Sequence, residues 1–352
     1  MGYNVKAAVW VQGYGSMMTD GVVIEVTRGG LVESRHRGAL AVCDADGGVV
    51  LARGDIDAPV FPRSAIKALQ ALPLVESGAV DVFGLTAAEI ALACASHTGE
   101  PEHALTAHAM LVKAGRDTDA LECGCHWPMN EAAARALAAA GDRPSALHNN
   151  CSGKHAGFVC LACALDENPA GYVRPGHVVQ REVKAVIEAM TGVALGPSVQ
   201  GVDGCSIPTW AVPLGALATG LARFGTGHGL GAARADAARK IRDSVAAHPF
   251  MVAGTGRFDS DVMLVLGARV FTKVGAEGVF CAAFPDQGLG VALKIEDGAG
   301  RAAEVLMAAV IAAFVPMSDA ETVLLRGRLA PRLVNWNGIE VGGLRLAGSV
   351  RG

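Results

Sequence analysis

The sequence predicts an α+β fold: an antiparallel sheet built from N- and C-terminal segments, with a helical lobe between them. Three observations carry that reading. Short β-branched and apolar runs bounded by Gly and Asp occupy residues 22–53. Similar runs return from Asp261 onward. The stretch from 64 to about 245 is instead Ala-rich at helical spacing. At roughly 150 residues per domain, 352 residues allow two domains or one large domain with an inserted part. Terminal strands that share one sheet favour a single domain over 19–352. Its sheet part is 19–60 and 255–352, including a C-terminal helix, and its mainly helical part is 61–254. Residues 1–18 read as a disordered tail or extension outside that fold. A cleft between sheet and lobe is the natural place for a small ligand.

Taken in order, residues 22–26, 38–43 and 49–53 read as strands, separated by Arg28-Gly29-Gly30 and by Asp44-Ala45-Asp46-Gly47-Gly48, which are hairpin punctuation. Helices follow at 64–72, 87–94, 131–140, 178–190 and 231–245. Strands are expected again at 262–266, 269–272, 278–284 and 290–295, and a last helix at 301–315. No repeat of 20 to 50 residues is visible, which sets solenoids and propellers aside.

Composition excludes several classes. With 51% hydrophobic and 18% charged residues the chain is outside the disordered class. A formal charge of -4 supplies no basic excess to hold a phosphate backbone, so nucleic acid is not an expected partner. The apolar run 305–317 falls short of the about 20 residues that span a bilayer, so no membrane association is expected. Nine cysteines, an odd number spread along a long chain, suit reduced thiols rather than a disulfide framework. With no export signal read at the start, a cytoplasmic location is expected.

Several segments can carry chemistry. In Arg63-Ser64-Ala65-Ile66-Lys67, Pro62 suits a first helical turn, and Ser64 and Lys67, three apart, share a helix face. An alcohol needs a neighbour to take its proton, and a lysine desolvated by apolar neighbours can do so. The plain alternative is an ordinary helix-start serine. Ser96-His97-Thr98 lies at a helix junction, where capping by Ser96 or Thr98 is the simpler reading. Lys273-Val274-Gly275 ends an expected strand and echoes the Lys-Thr-Gly element of serine acyl-transfer enzymes. The densest segment is His148-Asn149-Asn150-Cys151-Ser152-Gly153-Lys154-His155. Cys151 and Lys154 share a first helical turn there, and a helix N-terminus favours a thiolate. Asp203-Gly204-Cys205 adds a carboxylate and a second thiol, and two thiolates suit zinc. Cys123-Gly124-Cys125-His126 is a poor chelating geometry, so it reads as structural, as do Cys160 and Cys163. Cys43, Cys94 and Cys281 read as core. His103 and His108 read as solvated, and the Gly-rich stretch 225–231 as a flexible connection.

Together, Arg63-Ser64-x-x-Lys67, Ala95-Ser96-His97, Asn149-Asn150-Cys151-Ser152-Gly153-Lys154-His155, Asp203-Gly204-Cys205 and Lys273-Val274-Gly275 resemble the rhizobial-type, class 3 L-asparaginases. The resemblance runs from about Val22 to the C-terminus, and the Asn-Asn-Cys-Ser-Gly-Lys-His block is its most specific piece. It implies a fold similar to serine β-lactamases, penicillin-binding proteins and glutaminases. It further implies two catalytic pairs around one pocket, Ser64 with Lys67 and Ser96 with Lys273, and a zinc ion, Zn2+, on Cys151, Lys154 and Cys205. Asp203 is then a partner that orients a ligand. Arg63, His97 and His155 contact substrate or polarise the serines, with Arg63 suited to the α-carboxylate. A homodimer is implied as well.

The expected reaction is hydrolysis of L-asparagine to L-aspartate and ammonia through a serine acyl-enzyme, with Ser64 favoured over Ser96 as nucleophile because its base lies on the same helix. Alternatives are a glutaminase or β-lactamase-like serine amidohydrolase, or a zinc-dependent amino-acid sensor that binds asparagine without releasing ammonia.

Overall fold

The structure is a computed structural model, and it describes residues 21–347. The expected tail at 1–18 lies outside the described residues. Eight strands form the main sheet: β1 (Val22–Arg28), β2 (Leu31–Asp44), β3 (Val49–Arg53), β4 (Phe271–Val274), β5 (Val279–Phe284), β6 (Leu289–Ile295), β7 (Arg332–Val334) and β8 (Glu340–Leu346). Their order is β7-β8-β1-β2-β6-β5-β4, with β3 also pairing β2. All of these pairings are antiparallel. The α+β expectation therefore stands, with both ends of the chain in one sheet and a helical middle.

Seven helices matter for the site and the core: α1 (Ala87–Ala93), α2 (Pro101–Lys113), α3 (Ser152–Ala164), α4 (Leu214–Thr226), α5 (Phe258–Leu266), α6 (Gly300–Phe314) and α7 (Asp319–Leu329). Side chains alternate across a strand, so β2 sends Leu40 and Val42 to one core and Ala41 and Cys43 to the other. The Leu40 face packs with Val291, Leu293 and α6. The Ala41 face packs with Ala292, Ala283 and the helical lobe. Small residues on that second face let α4 press directly on the sheet: a Cβ on Gly290 would lie 2.0 Å from Ala218 O.

The structure corrects four element expectations. Residues 262–266, read as a strand, belong to α5. A short apolar run does not distinguish strand from buried helix; here Phe258, Val262 and Leu266 recur every fourth residue and are buried. Asp259 and Asp261 in the first turn also suit the positive helix end. The 64–72 helix is broken into a 3-10 turn, Arg63–Ile66, and a short helix, Lys67–Gln70. Strand β2 starts seven residues earlier than 38, because its first half carries charges on a solvent-facing side while it pairs with β1. Finally, the chain does not end on the 301–315 helix: α7 and the β7–β8 hairpin follow, and β8 completes the far side of β1.

Candidate active site

The turn after Pro62 sets the first site residues. Arg63 has φ 51°, a left-handed conformation that costs a non-glycine residue. Its guanidinium holds Asp203 Oδ1 from Nε at 2.8 Å and Nη2 at 2.7 Å, which ties the turn to the 203–206 loop. Burial works against the Asp203 carboxyl, but the Arg63 hydrogen bond and the nearby Lys154 and Arg63 charges hold it below its ordinary value. Ser64 is half-buried and its hydroxyl makes no hydrogen bond among the described residues. Strand β4 ends against this turn, since a Cβ on Gly275 would sit 2.8 Å from Pro62 O and 3.2 Å from Ala65 Cβ.

Lys67 is buried, and its amine donates to Ser96 Oγ at 2.9 Å, to Cys151 Sγ at 3.1 Å and to Ala95 O. Three acceptors match the three donors of an ammonium. The direct Ser64–Lys67 hydrogen bond implied by a shared helix is therefore absent, because the amine is drawn to the end of α1 instead. Ser96 is half-buried, and its backbone N–H donates to Val252 O at 2.9 Å. Neither Ser96 nor Thr98 caps α2; its N-cap is Glu100, without a side-chain cap bond. Glu100 instead accepts from Thr98 Oγ1 at 2.6 Å and from Thr255 Oγ1 at 2.6 Å, clipping the Ser96 loop to the 255 turn.

Cys151 is the N-cap of α3, and its backbone N–H donates to Asn149 Oδ1 at 2.8 Å. Gly153 brings this first turn against α1, with a Cβ there meeting Leu92 O at 2.4 Å. Lys154 Nζ donates to Cys205 Sγ at 3.0 Å. Of the two sulfurs Cys151 is the one held as thiolate: the Cys205 hydrogen bond, then the Lys67 and Lys154 charges, push its pKa down against burial. Burial opposes the Lys154 charge, but the two sulfurs raise its pKa overall. Among the described residues no group of three or more His, Cys, Asp and Glu side chains is placed to hold a metal; beside the two sulfurs the further donor is an amine, Lys154 Nζ at 3.0 Å from Cys205 Sγ. Two soft sulfurs and an amine, buried together, are a donor set that fits zinc once Cys205 and Lys154 give up their protons as the ion binds.

Lys273 is fully buried on β4, and burial pushes its amine down to about 7, against the raising effect of Asp259. Its Nζ donates to Val274 O at 2.8 Å and faces Asp259 Oδ2 at 3.8 Å. No hydrogen bond joins it to Ser96.

The two histidines are fully buried. His97 accepts the Gly99 N–H at Nδ1 (3.1 Å), which leaves its Nε2–H to donate to Ser152 Oγ at 2.9 Å. It stacks on His103, which stacks in turn on Phe250. His103, read as solvated, is thus buried; His108 is exposed. His155 Nδ1 is 2.6 Å from the Tyr172 hydroxyl, and its Nε2 is buried without a partner. Burial lowers the pKa of both His97 and His155 well below the ordinary value. Neither ring hydrogen-bonds Ser64 or Ser96, so their bonds fix neighbouring loops. Two residues went unseen in the sequence: Asp259, just ahead of the run taken for strand, and Tyr172, which is fully buried. Nothing in the spacing marks either one.

A family model described as L-asparaginase II matches residues 24–346. That span takes in both the sheet and the lobe, and it defines an amidohydrolase of the asparaginase type. The chain belongs to the L-asparaginase II family. A comparison with curated proteins finds no match. Among solved structures the chain is similar to the crystal structure of a β-lactamase from Mycobacterium bovis, at 13% identity over 79% of this chain and 95% of that one, with a TM-score of 0.25. At that score the two differ too widely for the likeness to carry argument.

Proposed function

We propose that the chain hydrolyses L-asparagine to L-aspartate and ammonia through a serine acyl-enzyme. The observation that carries this reading is the serine–lysine contact of Lys67 Nζ at 2.9 Å from Ser96 Oγ. Ser64 is the nucleophile in this account: its hydroxyl is half-buried and unengaged, and it follows the strained Arg63. Lys273, neutral above about 7, is the amine able to take its proton. Ser96, held by Lys67, relays a proton toward the departing ammonia. Arg63 presents a cation for the α-carboxylate, and Asp203 steadies it. His97 and His155 position the Ser152 and Tyr172 segments rather than touch substrate.

Cys151, Lys154 and Cys205 would hold zinc, Zn2+. When bound, the ion supplies a fixed positive charge that orients substrate, because two thiolates dampen its Lewis acidity. On the same resemblance we propose a cytoplasmic homodimer. No helix among the described residues is long and apolar enough to cross a membrane.

Ammonia release from L-asparagine by the zinc-replete protein, with L-glutamine in parallel, tests this function. Fast release from asparagine supports it. Release from glutamine alone would replace it with a glutaminase, and binding without release would replace it with a sensor.

A further inference from the structure

Asp259, the second residue of α5, and Lys273, the third of β4, both hydrogen-bond the backbone of one residue, Val274. Lys273 Nζ donates to the Val274 carbonyl at 2.8 Å, and Asp259 Oδ2 accepts the Val274 N–H at 3.1 Å. The amine and the carboxyl group face each other at 3.8 Å with side chains 0% and 1% exposed. That separation is beyond hydrogen-bond reach, and Asp259 Oδ1 is buried with no partner. A buried pair that serves stability closes to bonding distance and satisfies its remaining oxygens, since an unpaired buried acceptor costs about 1–3 kcal/mol. This pair does neither, so its geometry points to use in the reaction.

We propose that Asp259 is a positioning residue for Lys273: its carboxylate, anchored on the Val274 amide, sets where the amine sits and stabilises the ammonium formed when Lys273 takes the serine proton. The inference rests on the serine–lysine reading above. The serine O–H bond breaks as its oxygen bonds the amide carbon, and an N–H bond forms on Lys273; as the amide C–N bond breaks, that proton passes by way of Ser96 to the leaving nitrogen, which departs as ammonia. Water then adds to the ester carbon, giving its proton to Lys273, and the C–O bond to serine breaks as the serine oxygen takes that proton back. Asp259 takes no part in the proton transfer itself, much as the carboxylate of a serine protease triad stabilises its imidazolium without accepting the proton.

The other groups facing Lys273 are Arg257 at the α5 cap, Lys67, Cys151, Cys94 and Cys281. Of these surroundings Asp259 does most to favour the ammonium. Its removal therefore moves the Lys273 titration to lower pH.

The test is the pH profile of asparagine hydrolysis by the full, zinc-replete chain. Asp259→Asn is expected to move the acid limb of kcat/KM down by about one pH unit and to lower kcat about tenfold or more, with KM little changed. Asp259→Glu should return the limb toward its original position. An Asp259→Asn enzyme with an unmoved limb, or equal losses in both variants with the limb in place, would overturn the proposal. Should Asp259→Asn fail to fold, carbon NMR on the unaltered protein decides. The Asp259 Cγ and Lys273 Cε resonances are expected to inflect at one shared midpoint between about pH 5 and 9, and separate midpoints would refute the coupling. Failure of the asparaginase reading shows separately, as silence of the unaltered protein toward asparagine.

Discussion

At the scale of single residues, the two buried amines differ in what surrounds them. Lys67 has all three donors engaged, whereas Lys273 sits in a shell of buried residues that pushes it down to about 7. A base must be deprotonated to act, so kcat/KM should rise with pH through about 7 and level off above it. A profile flat from about pH 5 to 8 would remove Lys273 from that role. Ser64→Ala should lose about a thousandfold or more in turnover while its melting temperature stays near that of the parent. Stripping the metal with a chelator should raise KM with a smaller effect on kcat, and added zinc should restore it, as a steady-state titration would read. These residues were legible because each is a chemically unusual type in a short polar cluster. Their partners were not: a lysine's reach to Ser96, Cys151 and Ala95 spans elements far apart in sequence, and no local spacing encodes it. Asp259 was invisible for a second reason, since its flanking residues suit either a strand or a helix.

At the scale of elements, close backbone approaches hold the site together. Gly153 lets α3 meet α1, Gly275 lets β4 meet the Ser64 turn, and Gly290 lets α4 meet β6. Because a Cβ on Gly290 would strike backbone atoms of α4, at 2.0 Å from Ala218 O, Gly290→Ala should cost at least the about 1–3 kcal/mol typical of overpacking. Urea unfolding monitored by circular dichroism measures it. Helix and strand types were readable where the period was long, as in Val178–Thr191 and Ala232–Ala247. They failed where competing signals coincide. Helix α7 has a capping box from Ser318 to Glu321 that announces its start, yet its weakly apolar sequence hid it. Strand β8 carries Gly342 and Gly343, which weaken a strand pattern. A Cβ on Gly342 would lie 1.9 Å from Thr27 O, so that glycine is what lets β8 seat on β1.

For the molecule as a whole, the sheet binds the two ends of the chain: β1 is flanked by β2 on one side and β8 on the other. Glu25 on β1 shows the result locally, bonding Arg345 of β8 at 2.9 Å and meeting Arg35 of β2 at 3.4 Å. Ending the chain at residue 330 would strip β7 and β8 and leave β1 as an open edge. Such a protein should melt earlier and scatter light in a concentration-dependent way, whereas an unchanged melt would show the hairpin to be dispensable. The sheet also carries Lys273 and the lobe carries Lys67, Ser96 and Cys151, so the proposed chemistry exists only where the two meet. The most direct measurement is mass spectrometry of the protein quenched during turnover of a slowly deacylating asparagine analogue. An aspartyl adduct on Ser64, lost in Ser64→Ala, is the predicted result; an adduct on Ser96, or turnover with no adduct on either serine, would contradict the account.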